Sequence, residues 1–221
     1  TKAFNDIRAE VEAYGQSTRK TVTLAVGPIF GSRWLVPRLT QFRSDLPNIE
    51  LILHDSPRIT DAAMMDTHLA VDWGEGSWSG LQNYHLMDIT YAPVLSKALM
   101  AERGGLKSPK NLARYTIIHQ RDRSEWAAWL TLAGCAGLTL KEEITITDTN
   151  TVMHAALEGQ GVSLGIFPFV DQELKAGKLV KPFDIELKPT RSFYLLAKPS
   201  SERTPEVASV IRWLLDQAGA S

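Results

Sequence analysis

The chain has 221 residues, 44% of them apolar and 22% charged, which is enough for one large or two small packed domains and unlike a disordered or collagenous composition. With 24 Lys+Arg against 25 Asp+Glu and a formal charge of -1, it lacks the positive excess needed to grip nucleic-acid phosphates, which directs attention to a small-molecule or protein partner. One cysteine, Cys135, excludes an internal disulfide scaffold and fits a cytoplasmic setting, and no apolar run reaches the roughly 18 residues of a membrane span.

The sequence opens Thr1-Lys2-Ala3-Phe4, with neither Met nor an apolar leader core, and is expected to be a segment of something longer. Phe4, Ile7, Val11 and Tyr14 are spaced like an a/d seam on a helix. That spacing suits a dimerising helix and a terminal helix packed on its own domain equally. Residues 21–26 are predicted as a strand from their β-branched content. Phe30, Trp34, Leu35, Leu39 and Phe42 then recur at helical spacing, and residues 48–54 alternate as a second strand. Strand, helix and strand in about 35 residues make a βαβ unit, which implies a right-handed crossover into a parallel sheet.

Residues 68–72 read as a short buried strand, and residues 84–95 as a longer one that passes Pro93 without a turn. Ile117 and Ile118 mark another strand. Asp122 and Glu125 form a capping-box pair ahead of a helix carrying Trp126, Trp129, Leu130 and Ala133. Residues 144–147 form a strand, and Asp148 or Thr149 caps a helix with Val152, Met153, Ala156 and Leu157. Gly159-Gln160-Gly161 stops that helix before the strand 162–166. Residues 193–196 form a further strand, and Pro205 opens a last helix with Val207, Val210, Ile211, Leu214 and Leu215 on one stripe.

Gly161-Val162-Ser163-Leu164-Gly165 matches a nucleophile elbow, but the serine falls inside a strand rather than on a strand-to-helix turn. His54, His68, His85, His119 and His154 all precede it, against the usual order of such a triad. No convergent acid, base and nucleophile set emerges, so catalysis is not expected. No His or Cys pair has metal-site spacing, and neither a metal nor a cofactor is expected.

Two features do point to a ligand. The turn from Gly27 to Ser32 offers free backbone amides at the start of a helix, although a simple capped turn has the same residues. Asp72-Trp73-Gly74-Glu75-Gly76-Ser77-Trp78 places two aromatics and two carboxylates at the carboxyl end of a strand, where open α/β sheets bind ligands. A carboxylate beside an indole face holds ammonium groups by charge and by cation–π contact worth roughly 0.5–2 kcal/mol. A surface loop whose tryptophans pack inward fits the same residues.

Trp34-Leu35-Val36-Pro37-Arg38-Leu39 with Phe42 and Pro47, then Leu69-Ala70-Val71 with Gly74, Gly76 and Trp78, resembles the effector-binding domain of LysR-type transcriptional regulators. Ala92-Pro93-Val94, Trp126 with Trp129-Leu130, Ala155-Ala156 with Gly159 and Gly161-Val162, and Leu174, Gly177, Leu179-Val180 and Pro182-Phe183 follow in the family's order. The branch containing the glycine-cleavage activator is the most similar.

The resemblance implies an α/β, two-lobed fold like type 2 periplasmic binding proteins, with two crossover strands and an effector in the cleft. Lobe I would hold residues 21–94 and 196–221, lobe II 95–195, and residues 1–20 the end of the linker helix. The family's winged helix-turn-helix precedes that linker, so DNA binding belongs to an N-terminal domain absent from this chain. Homodimers or homotetramers are implied, with the helix of residues 31–45 set against that of residues 149–159 of a neighbour. No membrane partner is implied.

By the same carry-over the effector contacts are Ile29, Phe30, Gly31, Ser32, Asp55, Ser56, His119, Trp126, Thr149 and Phe167, to which the loop chemistry adds Asp72 and Trp73. Close relatives carry Ser or Thr where Ile29 stands, and Asp-Leu-Ala-Ile-Arg where this chain has His68-Leu69-Ala70-Val71-Asp72. A carboxylate in place of an arginine disfavours an anionic effector and favours a cationic or zwitterionic one, such as a quaternary ammonium compound. An internal pair between Asp72 and Arg33 or Arg38 is the alternative. A periplasmic solute-binding protein of a transporter is the competing function, because the lobes alone look alike.

Overall fold

The computed structural model describes residues 19–55, 67–102, 104–200 and 204–219. The seam expected over residues 1–20 lies almost wholly outside these, and so does Ser56. Strand β1 (Lys20–Val26) runs parallel to β2 (Ile49–Asp55) and β3 (Leu69–Gly74), with Val22 paired to Leu51 and Leu24 to Leu69. Val22, Leu24 and Ala25 are fully buried, as suits a β-branched and apolar strand between two neighbours. A helical run over residues 28–45, α1, joins β1 to β2. It is loosened to π geometry over Gly31–Leu35 and tightened to 3-10 over Val36–Arg38, where Pro37 lacks an amide.

Strand β4 (Gln82–Met87) and strand β10 (Ser192–Ala197) complete the first sheet in the order β2-β1-β3-β10-β4. Helix α6 (Pro205–Gly219) packs on β1 and β4 through its Val207, Val210, Ile211, Trp213 and Leu214 stripe. The Trp213 ring meets Phe42 edge-on at 5.0 Å, and its indole N–H donates to Asp45 at 2.9 Å.

The second sheet has the order β7-β6-β8-β5-β9. It holds β5 (Thr90–Ser96), β6 (Thr116–Gln120), β7 (Glu142–Ile146), β8 (Val162–Phe167) and β9 (Leu179–Val180). Helices α2 (Lys97–Glu102), α3 (Ser124–Leu132), α4 (Thr149–Leu157) and α5 (Asp171–Lys175) connect these strands. Ser163 is fully buried in β8, where it faces packed neighbours rather than a cleft. Gly159, at φ +71°, ends α4 in the left-handed region.

The extended stretch expected over residues 84–95 is two strands in two sheets. The chain passes from lobe I to lobe II at Asp88 and Ile89 and returns after β9 through residues 181–191. Residues 90–94 therefore pair in the second sheet and residues 192–195 in the first, so the sheets divide the chain a few residues away from the expected 94/95 and 195/196. The two crossings are tied together. Tyr91 and Leu187 exchange backbone hydrogen bonds of 2.8 Å, and the Thr90 hydroxyl donates to Glu186 at 2.7 Å. Asp88 accepts from the Ser192 hydroxyl at 2.6 Å and from His85 at 2.8 Å, with the Lys188 ammonium 3.3 Å away.

Beside the cleft the lobes also touch directly. Arg33 on α1 pairs with Glu173 on α5, and the Ser32 hydroxyl donates to Asn150 of α4 at 3.1 Å. Phe30 meets Phe169 edge-on at 6.4 Å, and Ile29 packs against the lobe II cluster of Met153, Val170 and Val94.

Candidate functional site

Parallel strands bring their carboxyl ends, and the loops that follow, to one edge of a sheet. In both lobes that edge faces the other lobe, and between them lies a cleft of about 990 Å³. Lobe I contributes Gly27, Pro28 and Ile29 after β1, Val71, Asp72 and Trp73 from β3, and Arg191 and Phe193 at β10. Lobe II contributes Gln120 at the end of β6, then Arg121, Asp122, Ser124 and Glu125, with Thr147 to Thr149 after β7 and Ile166 of β8. Ile89 and Tyr91 form the wall at the first crossing.

The aromatic side of this cleft is anchored in the core. Trp73 packs on Phe193 at 4.9 Å, and Phe193 lies 5.4 Å from Phe30 and 5.5 Å from Phe169. Glu75 and Trp78 lie outside the lining. Trp78 covers Gly74, where a Cβ would sit 2.7 Å from its ring. One tryptophan of the loop thus serves the cleft and the other the packing beneath it.

Four carboxylates and two guanidiniums line the cleft among the described residues. Two of the carboxylates are committed to helix starts. Asp148 accepts from the Thr151 amide at 2.8 Å and hydroxyl at 2.6 Å, and so caps α4 as expected. Asp122 accepts from the Ser124 amide at 2.7 Å and hydroxyl at 2.6 Å, which holds its carboxyl below the usual range. Asp72 accepts from the Trp73 amide at 2.8 Å.

Glu125 does not turn back on the Asp122 amide as a capping box requires; that amide donates to the Gln120 carbonyl at 2.7 Å. The Glu125 carboxyl meets the Tyr91 hydroxyl, and burial pushes it above its ordinary value, against the pull of that hydrogen bond and of Arg121, while nearby Asp122 adds to the rise. Burial and Glu125 likewise hold the Tyr91 phenol well above its ordinary range, with Arg191 opposing. Arg121 itself has φ +65°, a conformation that costs a non-glycine residue about 1–3 kcal/mol and persists where surroundings enforce it. Its amide is held by Ile146 at 2.9 Å.

Of the residues expected to contact an effector, Ile29, Asp72, Trp73 and Thr149 line the cleft. Phe30 is fully buried beneath it, stacked on Trp34 at 4.8 Å, and Gly31 packs against Val26. Ser32 points its hydroxyl to Pro28 and Asn150 instead. Asp55 ends β2 on an exposed edge away from the lining. His119 is 1% exposed and joined to Glu143 at 2.7 Å. Trp126 donates to the Ile118 carbonyl at 2.9 Å inside lobe II, and Phe167 lies under the Lys181 ammonium. Neither lines the cleft.

The lining residues not singled out from the sequence are chiefly Tyr91, Gln120, Arg121, Glu125 and Arg191. Asp122 and Glu125 had been visible only as a helix-start pattern, and nothing local marks Arg191. Arg33, one suggested partner of Asp72, pairs with Glu173 instead.

Two α/β lobes, two crossings and a cleft at the carboxyl ends of parallel strands define a ligand-binding domain of the periplasmic-binding-protein type. The effector domain of the transcriptional regulator AmpR of Pseudomonas aeruginosa superimposes with a TM-score of 0.80 at 27% identity, over 91% of this chain and 97% of that one. The AmpR effector-binding domain from Citrobacter freundii gives 0.81 at 21% identity, over 91% and 100%, a likeness of fold. The LysR substrate binding domain matches residues 15–219, and the chain belongs to that family. It is 30% identical to the glycine cleavage system transcriptional activator of Escherichia coli K12, over 98% of this chain and 74% of that protein. It is 28% identical to the regulator BlaA of Proteus vulgaris, over 99% and 73%. Among the described residues no helix is long and apolar enough to cross a membrane.

Proposed function

We propose that this LysR-type domain senses a cationic or zwitterionic small molecule, such as a quaternary ammonium compound, in the cytoplasm of a bacterium. The observation that carries this reading is that Asp72 and Trp73, consecutive at the carboxyl end of β3, both line the cleft, in a lining where carboxylates outnumber guanidiniums. Carboxylate and indole together suit a cation that cannot donate strong hydrogen bonds. Arg121 and Arg191 match the carboxylate of a zwitterion. Occupancy acts by shifting the balance of lobe or subunit arrangements and so repositions N-terminal DNA-binding domains. The relatives are named as regulators, which does not favour the transporter alternative.

Titration calorimetry with choline, betaine and acetate on the wild type and on Asp72→Asn tests the reading. Choline binds the wild type more tightly than acetate does, and Asp72→Asn weakens choline about tenfold, the equivalent of roughly 1.4 kcal/mol. Equal choline affinity in both proteins removes the charge argument.

Homodimers or homotetramers complete the proposal. Val36 of α1 and the edge-strand residues Ile52 and Ile144 are large, apolar and exposed in the single chain, as suits positions covered by a neighbour. Sedimentation equilibrium then reports at least twice the chain mass.

A further inference from the structure

Among the four carboxylates of the cleft, Glu125 has a distinct setting. Asp122 and Asp148 hold helix starts and Asp72 binds the amide that follows it, whereas Glu125 reaches from the first turn of α3 to the hydroxyl of Tyr91. Tyr91 is 5% exposed and is the second residue of β5, directly after the lobe I to lobe II crossing. Its backbone is bonded in both directions to Leu187 on the returning crossing. The Glu125 carboxyl therefore stands where cleft contents and the lobe junction meet. We infer that Glu125 is a specificity-determining residue of lobe II that pairs with a bound cation opposite Asp72, and that the cation's arrival is coupled to departure of a proton from Glu125.

The inference rests on the cation reading of the cleft. The charged and titratable groups around Glu125 come from every element that borders it: Tyr91 of β5, Arg121 and Asp122 before α3, Arg191 at β10, Asp72 of β3 across the cleft and Asp148 before α4. Burial and Asp122 disfavour a second negative charge here, so the empty cleft holds Glu125 protonated to a higher pH than an exposed glutamate. A cation placed against it reverses that balance. The carboxyl O–H bond breaks, the proton passes to solvent, and the carboxylate remains beside the ligand. The sign follows directly: cation affinity rises with pH through the titration of Glu125 in the empty cleft and levels off above it.

Calorimetry with choline, tetramethylammonium and ethanolamine, each in two buffers of different ionisation enthalpy, measures the protons released on binding. At a pH within the Glu125 titration the wild type releases a fraction of a proton per ligand, and well above it releases none. Affinity climbs by up to about tenfold per pH unit in the lower range. Glu125→Gln, nearly isosteric and checked for folding by its melting transition, binds with affinity independent of pH and releases no proton. Tyr91→Phe removes a hydrogen bond that favours the carboxylate, so its proton release persists but moves to higher pH. Binding to the wild type without proton release, or an unchanged pH profile in Glu125→Gln, overturns the role of Glu125 and leaves the cation reading standing. Binding of none of the three cations to the wild type overturns both.

Discussion

Single residues here divide into those fixed by their immediate neighbours and those placed by the whole fold. Gly161 is of the first kind: a Cβ there would lie 2.4 Å from the Thr116 carbonyl oxygen, which belongs to backbone and has nowhere to move. Gly161→Ala is expected to cost about 1–3 kcal/mol and lower Tm by several degrees. Gly219→Ala, with open space around it, leaves Tm nearly unchanged. The glycine pattern was legible in the sequence as a helix stop, and it is one, but the reason for the second glycine is the contact with β6. Trp126 and His119 show the opposite limit. Their residue types suit a binding loop and a buried core equally, and only the partners, the Ile118 carbonyl and Glu143, decide that they are core. Asp72 and Trp73, which stand out because charge and aromatic are adjacent in sequence, both line the cleft. Arg191 joins them only through the pairing of β10 with β3, a contact more than a hundred residues distant in sequence.

Elements announce themselves by periodicity and by the chemistry of their ends. Helix α4 begins where Asp148 predicts, because its side chain satisfies amides the helix cannot. Asp148→Ala is expected to destabilise the domain by about 1 kcal/mol, read from denaturant melts, without altering the other helices. The Asp122 and Glu125 pattern was half right for the same physical reason: Asp122 binds the Ser124 amide, while Glu125 finds a better partner in Tyr91. Hidden from the sequence was the division of residues 84–95 between two sheets. The backbone stays extended through Asp88 and Ile89, so no turn residue marks the passage, and Ile89 is as buried as a strand interior. Helix α1 likewise reads as regular from its apolar spacing, although its winding changes twice, to π geometry from Gly31 and to 3-10 geometry around Pro37.

At the scale of the molecule, the two-lobed architecture was legible through an ordered series of short motifs, each weak alone. The exact path between lobes was not, because it depends on which sheet each crossing segment joins. Asp88 fastens that junction, and the Ser192 hydroxyl, then His85 and Lys188, hold its carboxyl far below the usual range. A depressed carboxyl contributes stability that is present above its unfolded pKa, roughly 4, and is lost as pH falls toward the folded value. Asp88→Asn therefore lowers stability at neutral pH, by less than about 1 kcal/mol because the group is half exposed. The gap to the wild type narrows in acid, as pH-dependent thermal melts would record. The sheet order carries one more consequence. Among the described residues strand β4 hydrogen-bonds only to β10, which is inserted between it and β3. A ribosome delivers β4 long before β10, whereas every strand of lobe II emerges in one uninterrupted stretch. During synthesis the later lobe is thus the first able to finish, and the earlier one waits, with an open seam between β3 and its edge strand, for the strand that closes it.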